Sequence, residues 1–176
     1  MSGVNLEELR GAIRDIPDFP KPGIMFRDIS PILSQPELFR QVVDELAGQA
    51  EKSAPTKIVG IDARGFLFGA AVAYKLGLGF IPVRKKGKLP YRTIAYSYIL
   101  EYGRADMEMH VDAVQPGEKV VLVDDLLATG GTSAAAVHLI QQLRATVELA
   151  LFVIELVDLG GRKQLSNVPV QSLIQF

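Results

Sequence analysis

Lys119-Val120-Val121-Leu122-Val123-Asp124-Asp125-Leu126-Leu127-Ala128-Thr129-Gly130-Gly131-Thr132-Ser133 is the stretch whose reading decides the fold. Val120 to Val123 is an unbroken aliphatic run rich in β-branched residues, the pattern of a parallel strand buried on both faces. Asp124 and Asp125 close that run, where a buried strand should reach solvent. The turn Ala128 to Thr132 then opens a segment in which Ala135, Leu139, Ile140 and Leu143 recur at helical spacing. A buried strand, a glycine turn and a helix in succession predict an α/β protein with a mainly parallel central sheet flanked by helices.

A strand–turn–helix unit of this kind is where open α/β sheets hold anions, because glycines let N–H groups converge at a helix N-terminus. The turn carries no lysine and lacks the G-x-x-x-x-G-K-[ST] pattern, which argues against a nucleoside triphosphate loop. The two aspartates would repel a polyphosphate beside them but suit the hydroxyls of a sugar. One phosphate on the turn, with a ribose diol against Asp124 and Asp125, meets both constraints. A plain glycine-rich connection with Thr132 as helix N-cap accounts for the spacing equally well.

Composition narrows the partners. The chain has 176 residues, 19 Lys+Arg against 20 Asp+Glu, two histidines and no cysteine. A single domain spanning 1–176 is expected from that length. The near-zero net charge argues against a nucleic acid partner. Disulfides, thiolate catalysis and cysteine-based zinc sites are excluded, and cysteine-free composition fits a cytoplasmic protein. The N-terminus shows no secretory pattern and no apolar run approaches membrane-spanning length. His110 and His138 lie outside any metal-ligand spacing and are read as structural or surface residues.

Upstream, Leu6, Leu9, Ile13 and Ile16 predict an amphipathic helix ending before Pro17. Asp18 to Pro31 follows as a stiff, proline-rich segment that carries Phe19 and Phe26. Glu37 to Lys52 reads as a helix and Lys57 to Ile61 as a short strand. Asp62-Ala63-Arg64-Gly65 and the helix from Phe66 to Leu76 repeat the strand–turn–helix plan, now with an arginine able to fork onto an oxyanion. Gly79 to Val83 is a further strand, and the basic run Arg84-Lys85-Lys86-Gly87-Lys88 at its end is either a solvated face or a phosphate contact. Tyr96, Tyr98, Leu100 and Tyr102 alternate with period two, and with Met107 to Val111 they predict a hairpin outside the parallel sheet. Val147 to Leu156 is strand-like, followed by the Gly160-Gly161 turn and an apolar tail from Val168 to Ile174.

The string from Val121 to Thr132 closely resembles the phosphoribosyl-diphosphate (PRPP) motif of type I phosphoribosyltransferases. Its D-D-L-L-A-T-G-G-T form is most similar to the adenine-using members of that family. Phe19 to Pro31 and Leu100-Glu101-Tyr102-Gly103 resemble the base-pocket segment and the catalytic loop of the same proteins. Asp62 stands where many relatives carry Glu, and the stretch between Leu89 and Ile99 varies freely among them. The resemblance implies a type I phosphoribosyltransferase fold with a small hood, about residues 1–35, and a flexible β-hairpin lid.

It further implies roles. Asp124, Asp125, Ala128, Thr129, Gly130, Gly131 and Thr132 would hold the ribose and 5′-phosphate. Ala63, Arg64, Arg84 and Lys88 would hold the pyrophosphate, with an unusual cis peptide in the Asp62–Gly65 turn. Met25, Phe26 and Arg27 would read adenine, Glu101 would be catalytic, and Tyr102 would belong to the lid. Mg²⁺ would be bound through substrate oxygens and water rather than a protein cage, and the enzyme would be a homodimer. The implied reaction is transfer of the phosphoribosyl group from PRPP to adenine, giving AMP and pyrophosphate. The alternatives are a purine phosphoribosyltransferase for a 6-oxo base and a PRPP-sensing regulator. The latter needs a separate DNA-binding module for which this chain has no room.

Overall fold

The computed structural model describes residues 5–100 and 103–176. The chain divides into two compact units, Met1–Glu45 and Leu46–Phe176.

In the smaller unit, α1 (Leu6–Ala12) is capped by Asn5, whose side chain accepts from the Glu8 N–H. The helix stops earlier than its apolar spacing predicts. Arg14–Ile16 leaves it as β1 and pairs antiparallel with β2 (Phe26–Asp28), Ile16 lying opposite Phe26. Cross-strand pairing over these three residues wins over helical periodicity. The Phe19–Pro20 bond between the strands is cis. The short α2 (Ser30–Ser34) has Pro31 in its first turn, and α3 (Pro36–Glu51) follows.

The larger unit holds a seven-stranded sheet: β3 (Lys57–Ile61), β4 (Gly79–Lys85), β5 (Thr93–Leu100), β6 (Gly103–His110), β7 (Lys119–Leu127), β8 (Thr146–Glu155) and β9 (Val170–Gln175). Their order is β5-β6-β4-β3-β7-β8-β9. The five strands from β4 to β9 in that order are mutually parallel. Helices α4 (Gly65–Leu76) and α5 (Gly131–Gln142) make the crossovers β3-α4-β4 and β7-α5-β8. These step in opposite directions across the sheet, so right-handed connections put them on opposite faces. Val59, Ile61, Val83, Leu122, Leu139, Ile140 and Phe152 are among the buried residues of one continuous core.

Two expectations need correction. The β5–β6 hairpin is not outside the sheet: β6 continues it through antiparallel pairing of Arg84 with Glu108 and Lys85 with Met107. Nor does the aspartate pair close β7. The strand runs on to Leu127, because Asp124, Leu126 and Leu127 find partners in Phe152, Ile154 and Glu155 of β8.

Candidate active site

The sheet reverses its winding between β3 and β7, since the chain goes from β3 to β4 on one side and from β7 to β8 on the other. Ligands of open α/β sheets bind outside the carboxyl ends of strands at such a switch point. Here the two turns that the sequence singled out lie side by side, with Gly60 of β3 opposite Val123 of β7. The Asp62–Ala63 peptide in the first turn is cis. The second turn passes through Gly130, whose φ of +85° belongs to the left-handed region that glycine adopts freely. Gly130 is the N-cap of α5 and makes no side-chain capping bond, so Thr132 lies inside the helix and is not its cap.

The two turns enclose a cavity of about 210 Å³ lined by Asp62, Ala63, Arg64, Asp124, Asp125, Ala128 and the Thr129–Ser133 segment. Close packing sets its walls. A Cβ on Gly65 would fall 2.6 Å from Asp124 Oδ1 and 2.9 Å from the Val123 carbonyl oxygen, so only glycine lets α4 start against β7 at this point. Behind the cradle, a Cβ on Gly130 would fall 2.5 Å from the Gly161 carbonyl oxygen, and one on Gly161 would fall 2.3 Å from the Ala128 carbonyl oxygen. The two glycine turns are pressed back to back.

Charge is concentrated on one wall. Arg64 Nε lies 2.8 Å from Asp125 Oδ2, and Asp125 is nearly buried. The Asp125 N–H donates to Asp124 Oδ1 at 2.9 Å. Burial of its carboxyl, reinforced by the neighbouring Asp125 charge, pushes the Asp124 pKa well above the usual aspartate range. Burial also raises Asp125, while the Arg64 guanidinium works against that rise. Arg64 is therefore tied to the acidic pair and does not stand as an unengaged fork.

Arg84, placed by the sequence after β4, is part of that strand. It donates from Nε to Asp62 Oδ2 at 3.0 Å and from a terminal nitrogen to the Lys88 carbonyl at 3.2 Å. Its guanidinium also lies 5.8 Å from the Phe66 ring centroid. The Lys88 and Leu89 N–H groups donate to buried Glu108 at 2.9 and 2.8 Å. Burial would raise Glu108, but main-chain donors at Leu89, Gly87 and Lys88 together hold it below the ordinary range. Glu108 thus staples the basic loop to β6. Sequence reading missed it, although an acidic residue between Met107 and Met109 in a strand is the signal that marks it.

Tyr98, read only as part of an alternation, reaches the cradle: its hydroxyl lies 2.9 Å from Thr132 Oγ1. A larger cavity of about 660 Å³ lies on that side of α5 and borders the cradle at Thr129 and Gly131. Among the described residues its walls carry no carboxylate and no basic residue other than His138, which packs on Tyr96 with ring centroids 3.9 Å apart. Among the described residues, the paired charges Arg64, Asp124 and Asp125 line the smaller cavity. Glu101 and Tyr102 lie outside the described residues.

In the smaller unit, Phe19 and Met25 are exposed, and the Phe19 and Phe26 rings meet edge to face at 5.1 Å. The Arg27 guanidinium pairs with Asp15, and Arg14 with Asp28 at 3.5 Å, so β1 and β2 are laced by charge as well as by main chain. Among the described residues no three of His, Asp and Glu gather as a metal-binding group. No helix of the described residues is long and apolar enough to cross a membrane.

An acidic pair, a glycine cradle and a cationic turn thus meet at one switch point of the sheet, the place where open α/β sheets hold their ligands. The phosphoribosyl transferase domain family matches residues 30–169, and the chain belongs to that family. Its relatives are specific in kind. An adenine phosphoribosyltransferase of Agrobacterium fabrum is 57% identical, covering 96% of this chain and 95% of its own. The crystal structure of adenine phosphoribosyltransferase from Thermoanaerobacter pseudethanolicus superposes with a TM-score of 0.95 at 50% identity, covering 98% of this chain and all of that one. The Saccharomyces cerevisiae enzyme, complexed with an imino-altritol bisphosphate and adenine, superposes at 0.92 with 42% identity over 96% of this chain and 97% of its own.

Proposed function

We propose that the protein is a purine salvage enzyme that transfers the 5-phosphoribosyl group from PRPP to adenine. N9 of adenine forms a bond to the ribose anomeric carbon as the bond to pyrophosphate breaks. Pyrophosphate leaves with the electron pair, N9 loses its proton, and AMP is the second product. The observation that carries this reading is the convergence of the Ala63–Arg64 turn, the Asp124–Asp125 pair and the Thr129–Thr132 cradle on one cavity. A phosphate, a diol and a pyrophosphate require those three surfaces.

The 5′-phosphate is assigned to the Ala128–Thr132 main chain and the Thr132 hydroxyl, and the ribose diol to Asp124 and Asp125. Pyrophosphate is assigned to Ala63, Arg64, Arg84 and Lys88. The barrier is charge separation, since the ribose becomes cationic while negative charge grows on pyrophosphate, and fixed cations there lower it. The hard carboxylate oxygens on the cavity wall fit a Mg²⁺ ion, which would be held mainly through substrate oxygens and water and would supply charge neutralisation at the pyrophosphate. Glu101, which follows β5 in the sequence, is assigned to the base proton or the cationic ribose, and Tyr102 to the lid that excludes water.

Adenine recognition is assigned to the main chain of Met25, Phe26 and Arg27, with Phe26 stacking on the ring. An amine-accepting, N1-donating edge leaves a 6-oxo purine unpaired, which can reject it about 10⁴-fold. On this reading residues 1–176 form a single catalytic domain, in a cytoplasmic homodimer. The test is a panel of adenine, hypoxanthine, guanine and xanthine with labelled PRPP. Use of a 6-oxo base within tenfold of adenine would overturn the base assignment.

A further inference from the structure

We propose that Tyr98 is a positioning residue for the phosphate cradle, orienting the Thr132 hydroxyl so that its proton points at the bound 5′-phosphate. The inference rests on the assignment of the cradle to that phosphate. Thr132 lines the smaller cavity and Tyr98 the larger, so the 2.9 Å contact between their hydroxyls joins the walls of both. A threonine hydroxyl has one proton to give and lone pairs to accept with, whereas a phosphate oxygen only accepts. When Thr132 donates to the phosphate its proton is spent, and Tyr98 can complete the contact only by donating. The order is then Tyr98 O–H to Thr132 Oγ1, and Thr132 O–H to phosphate, a chain in which the anion polarises each bond.

Packing independently fixes Tyr98 in this place. A Cβ on Gly131 would lie 3.2 and 3.3 Å from two atoms of the Tyr98 ring, so glycine at the first residue of α5 lets the ring lie against the helix start. Tyr98 sits in β5, opposite Ala105 of β6, so the hydroxyl contact ties the hairpin to the cradle. By linkage, whatever this bond adds to phosphate affinity, a bound phosphate returns to the hold on the hairpin.

The experiment is calorimetric titration of the full chain and its Tyr98→Phe variant with ribose 5-phosphate and, separately, with pyrophosphate and Mg²⁺. Phenylalanine keeps the ring on Gly131 and removes only the hydroxyl. Ribose 5-phosphate should bind about five- to tenfold more weakly while pyrophosphate is unaffected, the loss expected for one hydrogen bond in an anion's chain. In a Thr132→Val background the same change should cost nothing further, the signature of coupling through that hydroxyl. Unchanged ribose 5-phosphate binding, or equal weakening of both ligands, overturns the proposal. Wild-type protein that binds no ribose 5-phosphate overturns the cradle assignment and this inference with it.

Discussion

Arg64 Nε and Asp125 Oδ2, separated by 2.8 Å, join the turn after β3 to the body of β7, so two walls of the smaller cavity share one charge pair. That pair keeps Asp125 more acidic than its burial alone would allow. A carboxylate binds a diol through its ionised form. AMP affinity should therefore fall as pH drops, beginning above the ordinary aspartate range, and Arg64→Gln should move the fall to still higher pH. Titrating AMP into both proteins across pH cancels the ligand's own phosphate ionisation, and identical profiles would show that the ion pair does not govern Asp125.

Asp124 sets function against stability. Its pKa is raised in the folded state, so the native protein holds the proton more tightly than the unfolded chain does. The associated stability is fully present below the unfolded pKa and is lost as pH rises through the folded one. Above the unfolded pKa the group is thus a net cost to the free enzyme. Asp124→Asn should raise the melting temperature at pH 7, with the gain vanishing in acid. AMP binding should weaken roughly ten- to a hundredfold, from the ~1.5–3 kcal/mol of a charge-assisted hydrogen bond. A melt and a titration on one sample decide it.

Gly161→Ala tests the back of the cradle from outside the motif. The added methyl meets the Ala128 carbonyl and the Leu127 side chain. Overpacking of this kind costs about 1–3 kcal/mol, and the displaced Ala128 should weaken ribose 5-phosphate binding beyond what the melting shift accounts for. Gly130→Val is the less clean variant, because its Cβ strikes the Gly161 carbonyl and stability falls along with binding.

Glu101→Leu should lower kcat strongly while leaving PRPP affinity nearly intact, the pattern of an interaction made mainly in the transition state. Single-turnover kinetics beside equilibrium PRPP binding separates the two. Lost PRPP affinity with preserved turnover would reassign the residue to ground-state binding.

Assembly is probed on α4. Of the apolar run Phe66-Leu67-Phe68, Phe68 is fully buried and Phe66 packs edge-on against Phe80, which leaves Leu67 at 45% exposure. Leu67→Glu should convert a dimer to monomer in sedimentation velocity without lowering the melting temperature of the monomer. A wild-type monomer at assay concentration would remove the homodimer from the proposal.

Elements with their own periodicity were legible in advance. The Lys57–Ile61 strand has the bounds expected, and α4 and α5 begin within a few residues of their expected starts. What escaped depends on partners distant in the chain. Leu126 and Leu127 are strand because β8 lies beside them, and Arg14 to Ile16 because Phe26 to Asp28 does. The motif named the residues around the cavity, yet Tyr98 and Gly161 carried no local signal of their contacts with Thr132 and Ala128, and the signal at Glu108 did not name Lys88 as its partner. Chemistry-bearing strings are local, whereas the groups that hold them in place are brought there by the fold.

The back-to-back glycines make the Asp124–Thr132 string non-transferable. Grafted into another α/β scaffold, it would meet whatever side chain stands in place of Gly161, and the turn would be forced into another shape. A designer borrowing this glycine turn has to carry over both segments, and a sequence scan that scores the string alone would accept chains whose second segment is too bulky to let it form.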